Sequence, residues 1–311
     1  MQTFKTYLQE KGYSPVTVKE YQRQTGLFSV WYGSSEMINC QKKDILGYLS
    51  YLKNKKKMQV ISRNNALIAL RHYFDYLLAL SQIANNPTSL IKLRGMVKRK
   101  LSYIYNIEEM DELADVYFQL EVRKAEEALT LESPRNTARN SYLARMRNYV
   151  MLLFLIHQGL TTRELLELQI DDIQLHKATV HIPKGTRRGN ARILPLHATQ
   201  MGTLLIYLQT IRPQLANSDS GTLFLSVKQG NEATMTAATA LVRLSCQLKR
   251  INSNFCTLAQ LRASVITHWI KSYGLRKAQY LAGHKSIVST EEYLPNYIED
   301  LADDMTKFNP F

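Results

Sequence analysis

The feature that most restricts the fold is one β-hairpin pattern in a chain that is otherwise mainly helical. Residues 178–182 and 191–196 alternate polar and apolar side chains as strands do, around a turn rich in Gly and Arg. Before residue 90 no segment has a convincing strand pattern, and apolar side chains recur there at helical spacing. The sequence therefore predicts an α+β fold, mostly helical, with a small antiparallel sheet.

The first ninety residues predict a small helical domain. Ser14 and Pro15 are typical of an N-cap and a first helical position, and Gly33 is expected to end the helix that they begin. A second helix is predicted at about 42–53, and a third is expected to close at Asn86-Pro87. A helix at about 107–120, a loop at 132–139 and an apolar helix at 149–156 are predicted further along the chain.

The chain of 311 residues predicts two domains. We expect a helical domain at 1–91, a basic linker at 92–106 and a second domain at 107–311 with a C-terminal tail from about 298. The linker includes Lys98, Arg99 and Lys100, and such charge serves solubility as readily as DNA binding.

Charge and cysteine content narrow the functional classes. The formal net charge is +14, which favours a polyanionic partner such as nucleic acid but also fits a generally basic soluble protein. The three cysteines are widely spaced without a C-x-x-C pair, so neither a disulfide framework nor a zinc site is indicated. No signal peptide or membrane span is predicted, and we expect a cytoplasmic, nucleoid-associated protein.

The segment at 281–293 reads L-A-G-H-K-S-I-V-S-T-E-E-Y and places a Gly-His pair a short distance before a tyrosine. It resembles the last active-site box of the tyrosine recombinases. The resemblance implies that Tyr293 is the nucleophile, that His284 is an active-site histidine, and that the chemistry needs no metal, ATP or other cofactor. Taken alone, Tyr293 would more readily be a packing residue.

The segment at 257–268 is similar to the stretch of that family that carries its second catalytic arginine, which corresponds to Arg262 here. An arginine fork there stabilises the negative charge that develops on the phosphate. Ala259 stands where the family has its first histidine, and Ala263 replaces a second one. Proton transfer is therefore expected to depend on His284 or on a water molecule.

The basic hairpin tip aligns with the family's turn that carries a catalytic lysine, which implies that Lys184 protonates the leaving 5′ oxygen. Arg187, Arg188 and Arg192 are expected to hold the DNA backbone. A solvated tip without a catalytic role is the alternative.

The segment at 159–173 resembles the box that carries the family's first catalytic arginine, but Thr161 occupies that position. Three interpretations remain open. Arg163 reaches the phosphate from two positions further on, another basic residue such as Arg145 or Arg147 replaces the missing arginine, or the enzyme is slow or disabled. Arg163 is the first candidate.

Segments at 12–21 and 61–74 look like parts of the family's N-terminal, SAM-like core-binding domain. Arg63 and Lys285 complete the predicted DNA-binding set. The resemblance implies a clamp around double-stranded DNA, a tetramer on paired recombination sites, docking of the segment 298–311 on a neighbouring protomer, and possible accessory DNA-bending proteins.

The function expected from these features is site-specific recombination through a 3′-phosphotyrosyl intermediate, for integration, excision or inversion of a DNA element. A non-catalytic DNA-binding accessory protein with the same fold is the alternative, and a type IB topoisomerase is a third possibility.

Overall fold

A computed structural model describes residues 3–33, 37–93, 103–130, 135–184, 189–215, 220–229 and 233–294. The chain divides into two compact units, Met1–Lys100 and Leu101–Phe311. Most of the predicted linker lies outside the described residues, and its role stays a prediction. The described α-helices and strands are, in chain order, α1 (Phe4–Glu10), α2 (Pro15–Tyr32), α3 (Lys42–Asn54), α4 (Val60–Ala79), α5 (Ile107–Tyr117), α6 (Lys124–Thr130), α7 (Arg135–His157), α8 (Thr162–Glu167), β1 (Ile173–Gln174), β2 (Thr179–Ile182), β3 (Arg192–Pro195), α9 (Ala198–Ile206), β4 (Val227–Gln229), β5 (Ala233–Met235), α10 (Ala237–Ile251), α11 (Leu258–Ala282) and α12 (Val288–Glu291).

The described part of the first unit is built from α1 to α4. The Ser14 hydroxyl accepts a hydrogen bond from the Thr17 amide at 3.2 Å, and Gly33 ends α2 with φ of 97°, as the sequence predicted. Apolar side chains of α2, α3 and α4 form the core of this unit. The helix α4 ends at Ala79, earlier than expected, and Asn86 instead organises a turn by accepting the Thr88 amide at 2.8 Å.

The core of the second unit surrounds α7. Its residues 150–156 are all buried, because α5, α10 and α11 pack around this helix. A helix that is apolar on every side needs such neighbours, which explains the unbroken apolar run in the sequence. The loop predicted at 132–139 is partly wrong, since α7 already begins at Arg135.

The predicted hairpin is confirmed and forms part of a three-stranded antiparallel sheet in the order β1–β2–β3. Val180 pairs with Leu194, and Ile182 pairs with Arg192. Successive side chains of a strand point to opposite faces, so Arg192 and Leu194 are buried while Ile193 is exposed. This alternation places the side chain of Arg192 in the interior of the second unit.

A second, two-stranded sheet of β4 and β5 was not predicted, because strands of three residues are too short to show a period. None of the helices in the described ranges is long and apolar enough to cross a membrane.

Candidate active site

Arg262 lies in the first half of α11 and is only 8% exposed. Its Nη1 donates to the Gly159 carbonyl at 2.5 Å, and its Nη2 donates to the Ala282 carbonyl at 2.7 Å. Gly159 has φ of 55°, and a Cβ there would lie 2.9 Å from Val265 Cγ1, so only glycine lets this turn approach α11 so closely. Two backbone carbonyls therefore fix the orientation of the Arg262 guanidinium.

Thr161, at the position of the expected first arginine, caps α8. Its amide donates to Glu164 Oε2 at 2.8 Å, and the Glu164 amide donates to the Thr161 hydroxyl at 3.1 Å. This reciprocal capping box holds the Glu164 carboxylate at the helix start. The same oxygen of Glu164 lies 3.6 Å from Arg262 Nη1, so the carboxylate faces the arginine.

Arg192 begins β3, and its side chain is fully buried. Its Nε donates to the Leu281 carbonyl at 2.7 Å, and its Nη1 donates to Glu164 Oε1 at 2.7 Å. We expected Arg192 to hold the DNA backbone together with Arg187 and Arg188. The structure buries this side chain, because the alternation of β3 turns it inward together with Leu194. A contact between Arg192 and DNA stays a prediction.

Gly283 makes room for the Arg192 guanidinium. It ends α11 with φ of 71°, and a Cβ at this position would lie 2.8 Å from Arg192 Cζ. The Asn190 amide donates to the Gly283 carbonyl at 2.9 Å, which ties the start of the second hairpin strand to the end of α11. Both the backbone conformation and the close approach of Arg192 require glycine here.

His284 follows Gly283 and lies beside Arg262. Its Nε2 is 3.2 Å from Arg262 Nη2, and its Nδ1 is 2.9 Å from the Thr290 hydroxyl. Because a guanidinium only donates hydrogen bonds, Nε2 is the acceptor, and the proton belongs on Nδ1. Burial and the nearby charges of Arg262 and Arg192 lower the pKa of His284 to about 4. The imidazole is therefore neutral at neutral pH.

Tyr293 stands two residues after α12, and its amide donates to the Thr290 carbonyl at 3.0 Å. Burial lowers the pKa of the Arg262 guanidinium, and the nearby Tyr293 phenol partly offsets that shift. Its ring stacks with that of His284, with centroids 6.0 Å apart and an interplanar angle of 13°. The structure thus brings together the three residues that the C-terminal boxes predicted as an active site.

The charges of this cluster sum to about one net positive charge. Burial raises the pKa of Glu164, but the hydrogen bond and charge of Arg192 outweigh it, so the pKa lies below its ordinary value and Glu164 is ionised. Two guanidinium groups and one carboxylate, with a neutral His284, leave an excess positive charge beside the Tyr293 phenol. Such a cluster suits a phosphodiester.

Two other predicted catalytic residues lie elsewhere. Lys184 is exposed just after β2, and within the described residues it forms no hydrogen bond or ion pair. Arg163 has a side chain that is 68% exposed, and its Nε donates to Glu167 Oε1 at 2.8 Å. The roles assigned to Lys184 and Arg163 stay predictions.

The two further arginines considered as replacements are engaged by other residues. Arg145 forms an ion pair with Glu121 at 3.1 Å. Arg147 is fully buried, and its Nη1 donates to the Leu225 carbonyl at 2.7 Å.

The predicted DNA-binding residues are only partly described. Lys285 is exposed next to His284, and Arg63 is partly buried in α4. The other five, besides Arg192, lie outside the described residues: Lys98, Arg99, Lys100, Arg187 and Arg188. All of them remain predictions.

Sequence reasoning missed Glu164, Thr290 and the buried position of Arg192. Glu164 had a recognisable signal, since Thr161 with Glu three positions later is a capping-box pattern. Arg192 also had one, because it shares the strand period of Leu194 and Leu196. No pattern recognisable in a single sequence indicated Thr290.

Comparison with known proteins agrees with this geometry. The model of the phage integrase family matches residues 128–299, which is more than half of the chain. The chain belongs to the phage integrase family. The model of the phage integrase N-terminal SAM-like domain matches residues 1–82 of this family member. The predicted family and fold class are thereby confirmed.

Among curated proteins, this integrase-family chain is 25% identical over 289 residues to tyrosine recombinase XerC of Psychromonas ingrahamii, covering 91% of this chain and 87% of that protein. It is 25% identical to tyrosine recombinase XerD of Listeria monocytogenes, covering 97% of this chain and 95% of that protein.

Solved structures share the fold. The Tn1549 transposon integrase in complex with a circular intermediate DNA has a TM-score of 0.66 at 14% identity, covering 97% of this chain and 100% of that one. A lambda integrase tetramer bound to a Holliday junction has a TM-score of 0.60 at 16% identity, covering 93% of this chain and 74% of that one.

Proposed function

We propose that this member of the phage integrase family is a site-specific DNA recombinase that cuts and rejoins DNA strands through Tyr293. The observation that carries this proposal is the stacking of the Tyr293 ring on that of neutral His284, whose Nε2 lies 3.2 Å from Nη2 of the buried Arg262. A phenol held beside a guanidinium is placed to attack a phosphate that the same guanidinium binds.

The proposed step exchanges one phosphate ester for another. The Tyr293 hydroxyl oxygen bonds to the scissile phosphorus and loses its proton, while the bond from phosphorus to the 5′ oxygen breaks and that oxygen gains a proton. A 3′-phosphotyrosyl ester and a free 5′ hydroxyl result. Because the number of phosphate ester bonds is unchanged, a 5′ hydroxyl of the partner strand can reverse the step and reseal the DNA.

Each residue has a proposed role in this step. Arg262 stabilises the negative charge on the non-bridging oxygens of the transition state. His284 keeps an unprotonated Nε2 beside Arg262, so it can accept a hydrogen bond or the proton of the nucleophile. Lys184 is proposed, on the sequence resemblance, to protonate the leaving 5′ oxygen.

We extend the proposal to the assembly. The partner is double-stranded DNA with paired recombination sites in the cytoplasm, bound by a homotetramer, with accessory DNA-bending proteins as further partners. A lambda integrase tetramer on a Holliday junction and a Tn1549 integrase on a circular intermediate DNA support this extension. We propose integration, excision or inversion of a DNA element as the outcome.

The test begins with duplexes selected for binding from a randomised DNA pool. A nick placed a short distance to the 3′ side of the mapped cleavage position traps the covalent intermediate, because the short fragment that carries the new 5′ hydroxyl diffuses away after cleavage. Wild type should give a protein–DNA adduct that survives denaturation, and Tyr293→Phe should give none. Tyr280→Phe is the matched control, since Tyr280 is an exposed tyrosine of α11.

Three results would overturn the proposal. Binding by wild type without any adduct indicates the accessory DNA-binding protein. An adduct from Tyr293→Phe equal to that of wild type removes Tyr293 as the nucleophile. Relaxation of supercoiled plasmid without strand exchange between two sites indicates a topoisomerase.

A further inference from the structure

The active site has an apparent deficit of positive charge. Thr161 stands where the family resemblance places a first arginine, and its hydroxyl and amide are both engaged with Glu164 in the cap of α8. Arg262 and Glu164 alone would give the site no net charge, because His284 is neutral. A phosphodiester carries one negative charge, and a second develops during the reaction. A further cation is needed for efficient catalysis.

Arg192 brings a second guanidinium to this cluster from a different part of the fold. Its Nη1 binds the same carboxylate that faces Arg262, with Glu164 Oε1 toward Arg192 and Oε2 toward Arg262. Burial is the main reason that the pKa values of Arg262 and His284 are lowered, and the charge of Arg192 lowers both further. The two arginines therefore lie on either side of one carboxylate, close to His284.

The Arg192 side chain is held so that one nitrogen remains unused. Nε binds the Leu281 carbonyl and Nη1 binds Glu164, but the buried Nη2 has no hydrogen-bond partner among the described residues. Buried donors in folded proteins nearly always have a partner. A buried guanidinium with two nitrogens fixed and the third without a hydrogen-bond partner is suited to an anionic ligand.

We infer that Arg192 supplies the second phosphate-binding guanidinium of this active site, through Nη2, in place of the arginine that is absent at Thr161. This inference rests on the proposed recombinase function and assigns to Arg192 a direct contact with a non-bridging oxygen of the scissile phosphate. The site then uses an arginine from β3 where the resemblance predicts one from the start of α8.

The other candidates for the missing arginine are less well placed. Arg163 is largely exposed and binds Glu167. Arg145 binds Glu121, and Arg147 binds the Leu225 carbonyl. Of these four arginines, the structure pairs only Arg192 with Glu164 across from Arg262.

The test compares two substrates that differ only at the scissile phosphate. One is the nicked duplex on which wild type forms its adduct. The other carries a methylphosphonate in place of the scissile phosphate, and its two stereoisomers are tested separately. The methyl group replaces one non-bridging oxygen and removes the negative charge. An arginine whose role is to stabilise this charge is therefore no longer needed on the methylphosphonate. Rates of adduct formation are measured for wild type, Arg192→Ala and Arg192→Gln, with Tm values for each protein.

We expect Arg192→Ala to lower the rate on the ordinary phosphate by about 100- to 1,000-fold. On at least one methylphosphonate stereoisomer its rate should approach that of wild type. Arg192→Gln can still donate a hydrogen bond to the Leu281 carbonyl and should show the same two effects as Arg192→Ala. It provides the test if the alanine variant does not fold. Arg147→Lys is the control for a buried arginine outside the cluster, and any loss it shows should be equal on both substrates.

Two results would overturn the inference about Arg192 and leave the proposed recombinase function standing. The first is an Arg192→Ala or Arg192→Gln variant that is folded and as fast as wild type on the ordinary phosphate. The second is a loss of the same size on the phosphate and on both methylphosphonates, which indicates that Arg192 only maintains the structure. Failure of wild type to form any adduct would instead count against the proposed function itself.

Discussion

Replacing Glu164 with alanine is expected to destabilise the second unit strongly. The Glu164 carboxylate accepts Arg192 Nη1 at 2.7 Å, lies 3.6 Å from Arg262 Nη1, and accepts the Thr161 amide at 2.8 Å. The side chain of Arg192 is fully buried, and that of Arg262 is 10% exposed. Removing the carboxylate therefore leaves two buried guanidinium groups without their counterion.

The size of the effect follows from this burial. Breaking a buried ion pair by removing one partner costs about 3–5 kcal/mol, because the remaining charge is left unpaired. Since two cations share this one carboxylate, we expect the upper part of that range. For a unit of this size each kcal/mol lowers Tm by about 2–4 °C, so a cost of about 4–5 kcal/mol should lower Tm by about 8–20 °C.

The measurement is thermal unfolding of the full chain at neutral pH, followed by circular dichroism and calorimetry. The matched control is Glu167→Ala on the same helix, where the carboxylate pairs with Arg163 at 2.8 Å and the two side chains are 46% and 68% exposed. An exposed pair contributes at most about 1 kcal/mol, so this variant should stay close to wild type. Equal Tm shifts for Glu164→Ala and Glu167→Ala would refute the reasoning, since burial would then make no difference.

Two further predictions concern the neighbours of this carboxylate. Gly283→Ala should lower the free energy of unfolding by about 1–2 kcal/mol because of the positive φ at this position. It should also lower adduct formation, because the new Cβ displaces the guanidinium of Arg192. The control is Gly12→Ala, with φ of 73° and no atom within 4 Å of its Cβ, which should lose stability without this effect on the active site. His284 should remain neutral down to about pH 4 in an NMR titration, because burial and the charges of Arg262 and Arg192 lower its pKa to about 4. Since that pKa lies below the value in the unfolded chain, the stability that neutral His284 contributes should be lost as pH falls from about 6.5 through 4. An ordinary titration midpoint near 6.5 would contradict the burial and the proximity of the two cations.

The local features were largely predictable from sequence. The start of α2 at Ser14 and Pro15, its end at Gly33, and the pairing of the hairpin strands depend on caps, turns and periods that are short-range properties. The meeting of Tyr293, Arg262 and His284 was predictable from resemblance, because the two boxes that carry them lie in one stretch of the family pattern. The bounds of α4 and α7 and the sheet of β4 and β5 were not, because tertiary packing overrides weak local signals.

The sequence by itself determined that Thr161 has no charge, that the C-terminal box ends in a tyrosine, and that the hairpin carries several arginines. Only the tertiary structure decided which arginine enters the phosphate cluster. Arg192 is far from Glu164, Arg262 and Gly283 along the chain, and it reaches them because β3 turns it inward while Gly159 and Gly283 allow α11 to approach. A strand period shows that a side chain is buried, but the partners that it meets depend on how distant segments pack.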